Sequence, residues 1–348
     1  MRVHGGDREA RIDLSINTNP LGPPREVYDT LRECFEEKVI ERYPDYSYRD
    51  LRRAIAEFYE AREDLVTPTN GAAEAINLVI LSLRPSRIYV IEPSYGEYED
   101  LSKILGIEYR DLYMRRIESR FYVDREDLKK ICFDKESLLV ITNPNNPTGA
   151  YTDREELIEI LSKCSIRVLL DEAYIELCDK CPVNLIDHLS NIVIVRTFTK
   201  WLSIPGLRVG FVYTSDRELV RRIDILRQPW NINALSDCLL TRILVNKKDS
   251  LERFINETRE YIRSERTRVR DLLKSLGIEI FDSDTNIMLL RIPRGEFVVK
   301  ALRERKIAVR SCGSFRGLGL DYIRIGLKSR SDNDLFINTL REVLENVA

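Results

Sequence analysis

The chain has 348 residues, 43% of them hydrophobic, enough to bury a sizeable core and to form two domains. Its 55 Lys and Arg against 57 Asp and Glu leave a formal net charge of -2. General nucleic-acid and membrane-surface binders are usually basic, so neither class is expected. No apolar run reaches the roughly 18 residues that a bilayer span needs. MRVHGGDREARID lacks the apolar stretch of a signal peptide, and a cytoplasmic protein is expected.

In chain order, DLSINTNPLGPP is extended and turn-rich, because Pro20, Pro23 and Pro24 with Gly22 exclude a helix. Helices are predicted at about 25–38 and 47–61. A third, NGAAEAINLVILSL (70–83), is opened by Asn70 and Gly71. Strands and helices then alternate: RIYVIEP (87–93) and EYEDLSKILG (97–106), SLLVITNP (137–144) and DREELIEILSKC (153–164). RVLLDEAY (167–174), NIVIVRTF (191–198) and LRVGFVYT (207–214) read as further strands, and SDRELVRRIDILR (215–227) as a helix. This alternation indicates an α/β domain with a largely parallel sheet, its strands buried on both faces. From about residue 246 a long charged helix (249–276) leads into shorter elements, with helices at 295–305 and 332–346. The expected organisation is a large α/β domain at 36–245 and a smaller α+β domain. The smaller one is discontinuous, built from 1–35 and 246–348.

Seven cysteines are scattered through the chain, and only Cys178 and Cys181 form a CxxC pair. No second pair completes a zinc site, so no metal is expected and the thiols are read as reduced. Charged residues make up 32% and Gln occurs once, at Gln228, a balance that points to a thermophilic source.

Ligands of open α/β sheets bind beyond the carboxyl ends of the strands. The unusual residues cluster there: TNPNNPTG (142–149), DEAY (171–174) and TFTK (197–200). Lys200 offers an amine for a Schiff base. Thr197, Thr199 and Arg208 can grip an anion beside it. A helix N-terminus at Gly71–Ala72–Ala73 adds backbone N–H donors for a phosphate. Asp171, buried at a strand end, calls for a cation such as a protonated ring nitrogen. Tyr174 and Asn146 can hydrogen-bond a phenolate, and Tyr95 can stack on a flat ring. Imine, phosphate, pyridinium and phenolate together describe pyridoxal 5'-phosphate.

NPNNPTG, DEAY and the eight-residue interval from Lys200 to Arg208 resemble fold-type I, pyridoxal-phosphate-dependent aminotransferases of class I/II. The resemblance covers nearly the whole chain in order. It implies that Lys200 carries the cofactor and shuttles the proton, and that Asp171 keeps the pyridine nitrogen protonated. By the same resemblance Asn146 and Tyr174 contact the phenolic oxygen, and Tyr95 stacks on the ring. Ala72, Ala73, Thr197, Thr199 and Arg208 would hold the phosphate. Tyr43, in RYPDYSY, resembles the tyrosine that reaches the cofactor phosphate of a neighbouring subunit, which implies a homodimer. Arg324, in YIRIG, resembles the arginine that clamps the substrate α-carboxylate.

HGG (4–6), SINTNPLGPP (15–24), IPGLR (204–208) and VRSCGSFRGLGLDYIRIG (309–326) are similar to threonine-phosphate decarboxylases of cobalamin biosynthesis. That group is close to histidinol-phosphate aminotransferases. In the decarboxylases the substrate phosphate meets residues matching His4, Asn17 and Arg310 here. Two stretches depart from that pattern: DEAY looks more like the aminotransferases, and CGSFRGLGL follows Arg310 where a CSN-type stretch is usual. Decarboxylation of L-threonine O-3-phosphate is the favoured expectation. Transamination of histidinol phosphate with 2-oxoglutarate is the alternative. His188 is assigned no role. A dinucleotide-dependent oxidoreductase is not supported, because GSFRGLG (313–319) lacks the GxGxxG spacing.

Overall fold

The computed structural model describes residues 5–186 and 189–345. The opening segment contributes a two-residue strand, β1 (Ile12–Asp13), and runs irregularly to Pro24, whose extended backbone precedes α1 (Arg25–Glu36). α2 (Arg49–Phe58) buries Leu51, Ala54, Ile55 and Phe58, the apolar stripe of an amphipathic helix. There follow β2 (Val66–Thr69), α3 (Gly71–Leu83), β3 (Arg87–Glu92), α4 (Glu97–Leu105), β4 (Glu108–Tyr113) and a hairpin of β5 (Arg115–Ile117) and β6 (Arg120–Tyr122). Next come α5 (Arg125–Ile131), β7 (Ser137–Thr142), α6 (Arg154–Leu161), β8 (Arg167–Asp171), β9 (Ile192–Thr197), α7 (Phe198–Trp201), β10 (Gly210–Tyr213), α8 (Arg217–Leu226) and α9 (Ala234–Asn246).

Seven of these strands form one sheet in the order β2-β10-β9-β8-β7-β3-β4. Only β10 runs against its neighbours. The two-residue period of a strand divides its side chains between two cores. Leu138, Val140, Leu169, Val193 and Val195 pack on one face, and Leu139, Ile141, Val168, Leu170 and Ile194 on the other. Central strands therefore read as unbroken apolar runs. In register, Thr142 lies opposite Asp171 and Asp171 opposite Val195, so β7, β8 and β9 end side by side.

The 28-residue α10 (Lys248–Ser275) leads to β11 (Glu279–Ile280), β12 (Ile287–Arg291), α11 (Gly295–Glu304), β13 (Ile307–Ala308), β14 (Arg310–Ser311), β15 (Tyr322–Gly326) and α12 (Arg330–Glu345). A four-stranded antiparallel sheet has the order β11-β12-β15-β14. The N-terminal strand β1 pairs in parallel with β13, Ile12 opposite Ile307. Close approach is also secured at Gly326, where an added Cβ would stand 2.5 Å from the Ile16 carbonyl oxygen. These contacts seat the 14–19 segment on the C-terminal sheet.

The sequence reading left β2, β4, β5, β6, α5 and α9 unassigned. β2 and β4 are the edge strands of the large sheet, and edges need not be apolar. β2 contains Pro68, whose missing N–H an edge strand tolerates. β10 starts later than predicted because Arg208 adopts φ 57°, outside the strand region.

The expectation of reduced thiols is overturned. Cys34 is bonded to Cys238, Cys132 to Cys164 and Cys178 to Cys181, which leaves Cys312 buried and free. Only the Cys178–Cys181 spacing marked a pair; the other two carried no sign, because tertiary folding brings their partners together across 32 and 204 residues of chain. Among the described residues no helix is long and apolar enough to cross a membrane, and no cluster of acidic, Cys or His side chains could hold a metal ion.

Candidate active site

Two connected clefts lie beyond the carboxyl ends of β7, β8 and β9. The inner one is lined by Ala72, Ala73, Ile76, Tyr95, Thr142, Asn146, Asp171, Ala173, Tyr174, Thr197, Thr199, Lys200 and Arg208. The outer one shares Tyr95, Asn146, Tyr174 and Lys200 with it and adds Gly5, Ser15, Ile16, Asn17, Gly96, Arg310, Ser314, Phe315 and Arg324.

At one end of the inner cleft is the first turn of α3, with its unpaired backbone N–H groups. Gly71 has φ 75°, and a Cβ there would lie 2.6 Å from Arg208 Nη2. Glycine thus admits the guanidinium against the helix start. Arg208 Nη1 donates to the Pro205 carbonyl (3.3 Å), not to a carboxylate. Thr197 caps α7 by accepting from the Thr199 N–H (3.2 Å), and its own hydroxyl donates to the Val209 carbonyl (2.9 Å). Its proton is therefore committed, whereas the Thr199 hydroxyl, 2.9 Å from Thr197 Oγ1, can turn its proton to Thr197 or to an anion. Backbone N–H groups, a guanidinium and a hydroxyl make an anion site.

At the other end, Asp171 is fully enclosed. Burial raises its pKa, opposed by the Tyr98 hydroxyl, the Ala173 N–H and the charge of Lys200. Tyr98 donates to Oδ2 at 2.6 Å and Ala173 N–H to Oδ1 at 3.0 Å. No Lys or Arg nitrogen forms an ion pair with it among the described residues. The Lys200 Nζ stands 5.8 Å from the centroid of the Tyr174 ring. The NPNNPTG turn is held by Asn145 Oδ1, which accepts from the Thr148 N–H (3.1 Å) and hydroxyl (2.8 Å), and the next residue, Asn146, faces the cleft. Asn146 Oδ1 accepts from Arg324 Nη1 at 2.6 Å, leaving its amide N–H2 to donate inward.

In the outer cleft, Arg324 also donates to the Ser15 carbonyl, and its Nε has no hydrogen-bond partner among the described residues. It is 6% exposed, and burial lowers its pKa. Asn17 donates to the Tyr174 hydroxyl at 3.4 Å, while its buried Oδ1 has no partner among the described residues. Arg310 lies directly opposite Arg324 on paired strands. It donates to Ser314 Oγ (2.9 Å) and lies over the Phe315 ring, 5.3 Å from its centroid. Burial pushes the Cys312 thiol up to about 12, so this cysteine is packing rather than a nucleophile.

The sequence model of the family described as Aminotransferase class I and II matches residues 9–340. This chain belongs to that family. Among characterised relatives, the chain is 31% identical to a histidinol-phosphate aminotransferase from Caldanaerobacter subterraneus subsp. tengcongensis over 337 residues, 96% of this chain and 93% of that protein. It is 30% identical to the threonine-phosphate decarboxylase of Salmonella typhimurium over 364 residues, 99% of this chain and 98% of that one. Among solved structures, it superposes on the histidinol-phosphate aminotransferase of Clostridium acetobutylicum with a TM-score of 0.86, at 30% identity, covering 96% of this chain and 99% of that chain. The fold is accordingly that of class I and II aminotransferases, a pyridoxal-phosphate-dependent transferase architecture of fold type I.

In this member of the class I and II aminotransferase family, thirteen of the residues singled out from sequence line the two clefts: Asn17, Ala72, Ala73, Tyr95, Asn146, Asp171, Tyr174, Thr197, Thr199, Lys200, Arg208, Arg310 and Arg324. Tyr43 does not. It is 77% exposed and stacks on Trp230 with ring centroids 4.3 Å apart. His4 lies outside the described residues. Sequence reasoning missed Tyr98, Thr142, Ser15, Ser314 and Phe315. Tyr98 reads as an ordinary helical aromatic, and only the packing of α4 against β7 and β8 turns its hydroxyl toward Asp171.

Proposed function

We propose that the protein is a pyridoxal 5'-phosphate-dependent decarboxylase of L-threonine O-3-phosphate, giving (R)-1-amino-2-propanol O-2-phosphate. The residues fit the cofactor. A buried, raised carboxyl without a cation suits a protonated pyridine nitrogen, and the α3 N-terminus with Thr199 and Arg208 suits a phosphate. Ala72, Ala73, Thr199 and Arg208 would hold that phosphate, with Thr197 positioning Thr199, Asp171 the ring nitrogen, Asn146 and Tyr174 the phenolic oxygen, and Tyr95 the ring face. Lys200 would carry the aldehyde carbon. When bound, the cofactor supplies an electron sink for the pair left at the substrate Cα.

The observation that carries the substrate reading is the cross-strand pair of Arg310 and Arg324 in one cleft. Side chains directly opposite on antiparallel strands start about 5 Å apart. Threonine phosphate bears its carboxylate and its phosphoester on adjacent carbons, so one small molecule can meet both guanidiniums. Arg324 binds and orients the α-carboxylate, which decides which Cα bond breaks. Arg310, with Asn17 and His4, binds the phosphate. Lys200 Nζ returns a proton to Cα after CO2 leaves.

Transamination of histidinol phosphate with 2-oxoglutarate is the second reading. Phe315 in the outer cleft offers an apolar wall for an imidazole, and relatives of both kinds match at similar identity. Product analysis separates the two. CO2 release from threonine phosphate alone, with no keto acid, is expected. Turnover only with histidinol phosphate plus 2-oxoglutarate would overturn the decarboxylase.

We assign the chain two domains, 36–245 and 1–35 with 246–348, supported by the pairing of β1 with β13. We also assign a cytoplasmic homodimer. Exposed Tyr43, Tyr46 and Trp230 form a contiguous aromatic patch suited to a partner subunit, whose cofactor phosphate Tyr43 would reach.

A further inference from the structure

The turn from Cys312 to Asp321 joins β14 to β15 and contains the CGSFRGLGL stretch that departs from the decarboxylase pattern. Ser314 and Phe315 on this turn line the outer cleft and support Arg310, through the 2.9 Å hydrogen bond to Ser314 and the ring beneath its guanidinium. The next residue, Arg316, reaches the large sheet. Its Nη1 donates to Asp111 Oδ2 at 2.8 Å and its Nη2 to Glu99 Oε1 at 2.6 Å. Its guanidinium lies over the Tyr109 ring, 5.0 Å from the centroid. Tyr109 and Asp111 belong to β4, and Glu99 lies in the first turn of α4.

α4 begins immediately after Tyr95 and Gly96, which form the wall of the outer cleft facing Ser314 and Phe315. Arg316 therefore ties the two walls together from behind. The turn needs such a tie. Gly319 has open space where a Cβ would stand, and Gly317 sits at φ 79°, so the glycines themselves hold this backbone loosely. Phe315 anchors the turn to the hydrophobic core, and Arg316 extends from it to Asp111 on β4 and Glu99 on α4. A lone exposed ion pair would hold little. A planar guanidinium shared by two largely buried carboxylates and stacked on a ring has one orientation.

We propose that Arg316 is a positioning residue for substrate recognition: bridging Glu99 and Asp111, it fixes the spacing between Tyr95–Gly96 and Ser314–Phe315, and so holds Arg310 at the phosphate end of the cleft. The proposal rests on the reading of Arg310 as the phosphate contact. It makes Arg316 a determinant of specificity that does not itself line the cleft.

The test compares the wild-type holoenzyme with Arg316→Ala and Arg316→Lys. Hydrogen exchange over residues 312–320 is measured with and without O-phospho-L-threonine, alongside KM and kcat for that compound. Expected is faster exchange across the turn in Arg316→Ala, a KM raised about tenfold, the worth of one charge-assisted hydrogen bond, and kcat changed less than about twofold. Arg316→Lys falls between. Unaltered exchange in Arg316→Ala, or a loss confined to kcat, overturns the proposal. Failure of the substrate reading is distinguishable, because wild-type protein would then neither turn over the compound nor show protection of the turn by it.

Discussion

Directly behind the cofactor end of the cleft, Glu172 and Arg196 form an ion pair with 1% and 0% side-chain exposure. Arg196 Nε and Nη2 donate to Glu172 Oε2 at 2.9 and 2.6 Å, so β8 and β9 are clamped beside Asp171 and Thr197. Arg154 Nη2 also donates to Glu172 (3.3 Å), and Glu176 lies 3.9 Å from Arg196 Nη1. Arg196→Met removes the shared cation and leaves two buried carboxylates with one guanidinium. Breaking such a pair costs about 3–5 kcal/mol. For 348 residues the unfolding entropy is about 0.7 kcal/mol/K. The melting temperature should then fall by about 4–7 °C by differential scanning calorimetry. Adding Glu172→Gln to Arg196→Met should recover a large part of the loss, because it removes the stranded charge. A single variant within about 1 °C of wild type, or a double variant with the two losses simply added, would refute the reasoning.

Lys200→Ala should lower turnover by about 10³-fold or more, since the residue moves the proton at Cα, while the melting temperature stays near wild type; retained product formation would remove Lys200 from the mechanism. Burial, then Asp45 and Asp50, raise the Asp237 pKa to about 6. The folded value exceeds the unfolded one of about 3.9, so the folded state holds this proton more tightly and its contribution is lost as pH rises from about 4 through 6. Asp237→Asn should therefore stabilise at pH 8 and much less at pH 4 by urea titration; an equal gain at both contradicts the assignment. The Cys34–Cys238 bond closes a span of 204 residues, for which chain entropy predicts about 5 kcal/mol. Cys34→Ala should lower the melting temperature by several degrees, and reductant should lower that of wild type by more than that of the variant, which keeps only the Cys132–Cys164 and Cys178–Cys181 bonds.

Much of the molecule was legible from sequence because its signals are local. Strands buried on both faces announce themselves as apolar runs, and the residues at their carboxyl ends share one site by the geometry of a parallel sheet. Lys200, Asp171, Asn146 and Arg208 were accessible by that route. The edge strands and the Cys34–Cys238 and Cys132–Cys164 bonds were not, since their partners lie far away in the chain.

Tertiary structure alone decided three features of the site. Thr197 spends its hydroxyl proton on Val209, so the Thr199 hydroxyl is the one that can turn to an anion. Tyr98 turns toward Asp171. Arg310 and Arg324 face each other because β14 and β15 pair in that register. Composition and periodicity fix which faces are buried, through the free energy of removing apolar surface from water. They are silent on which of many polar groups meet, because hydrogen-bond partners depend on the register and packing of elements remote in sequence.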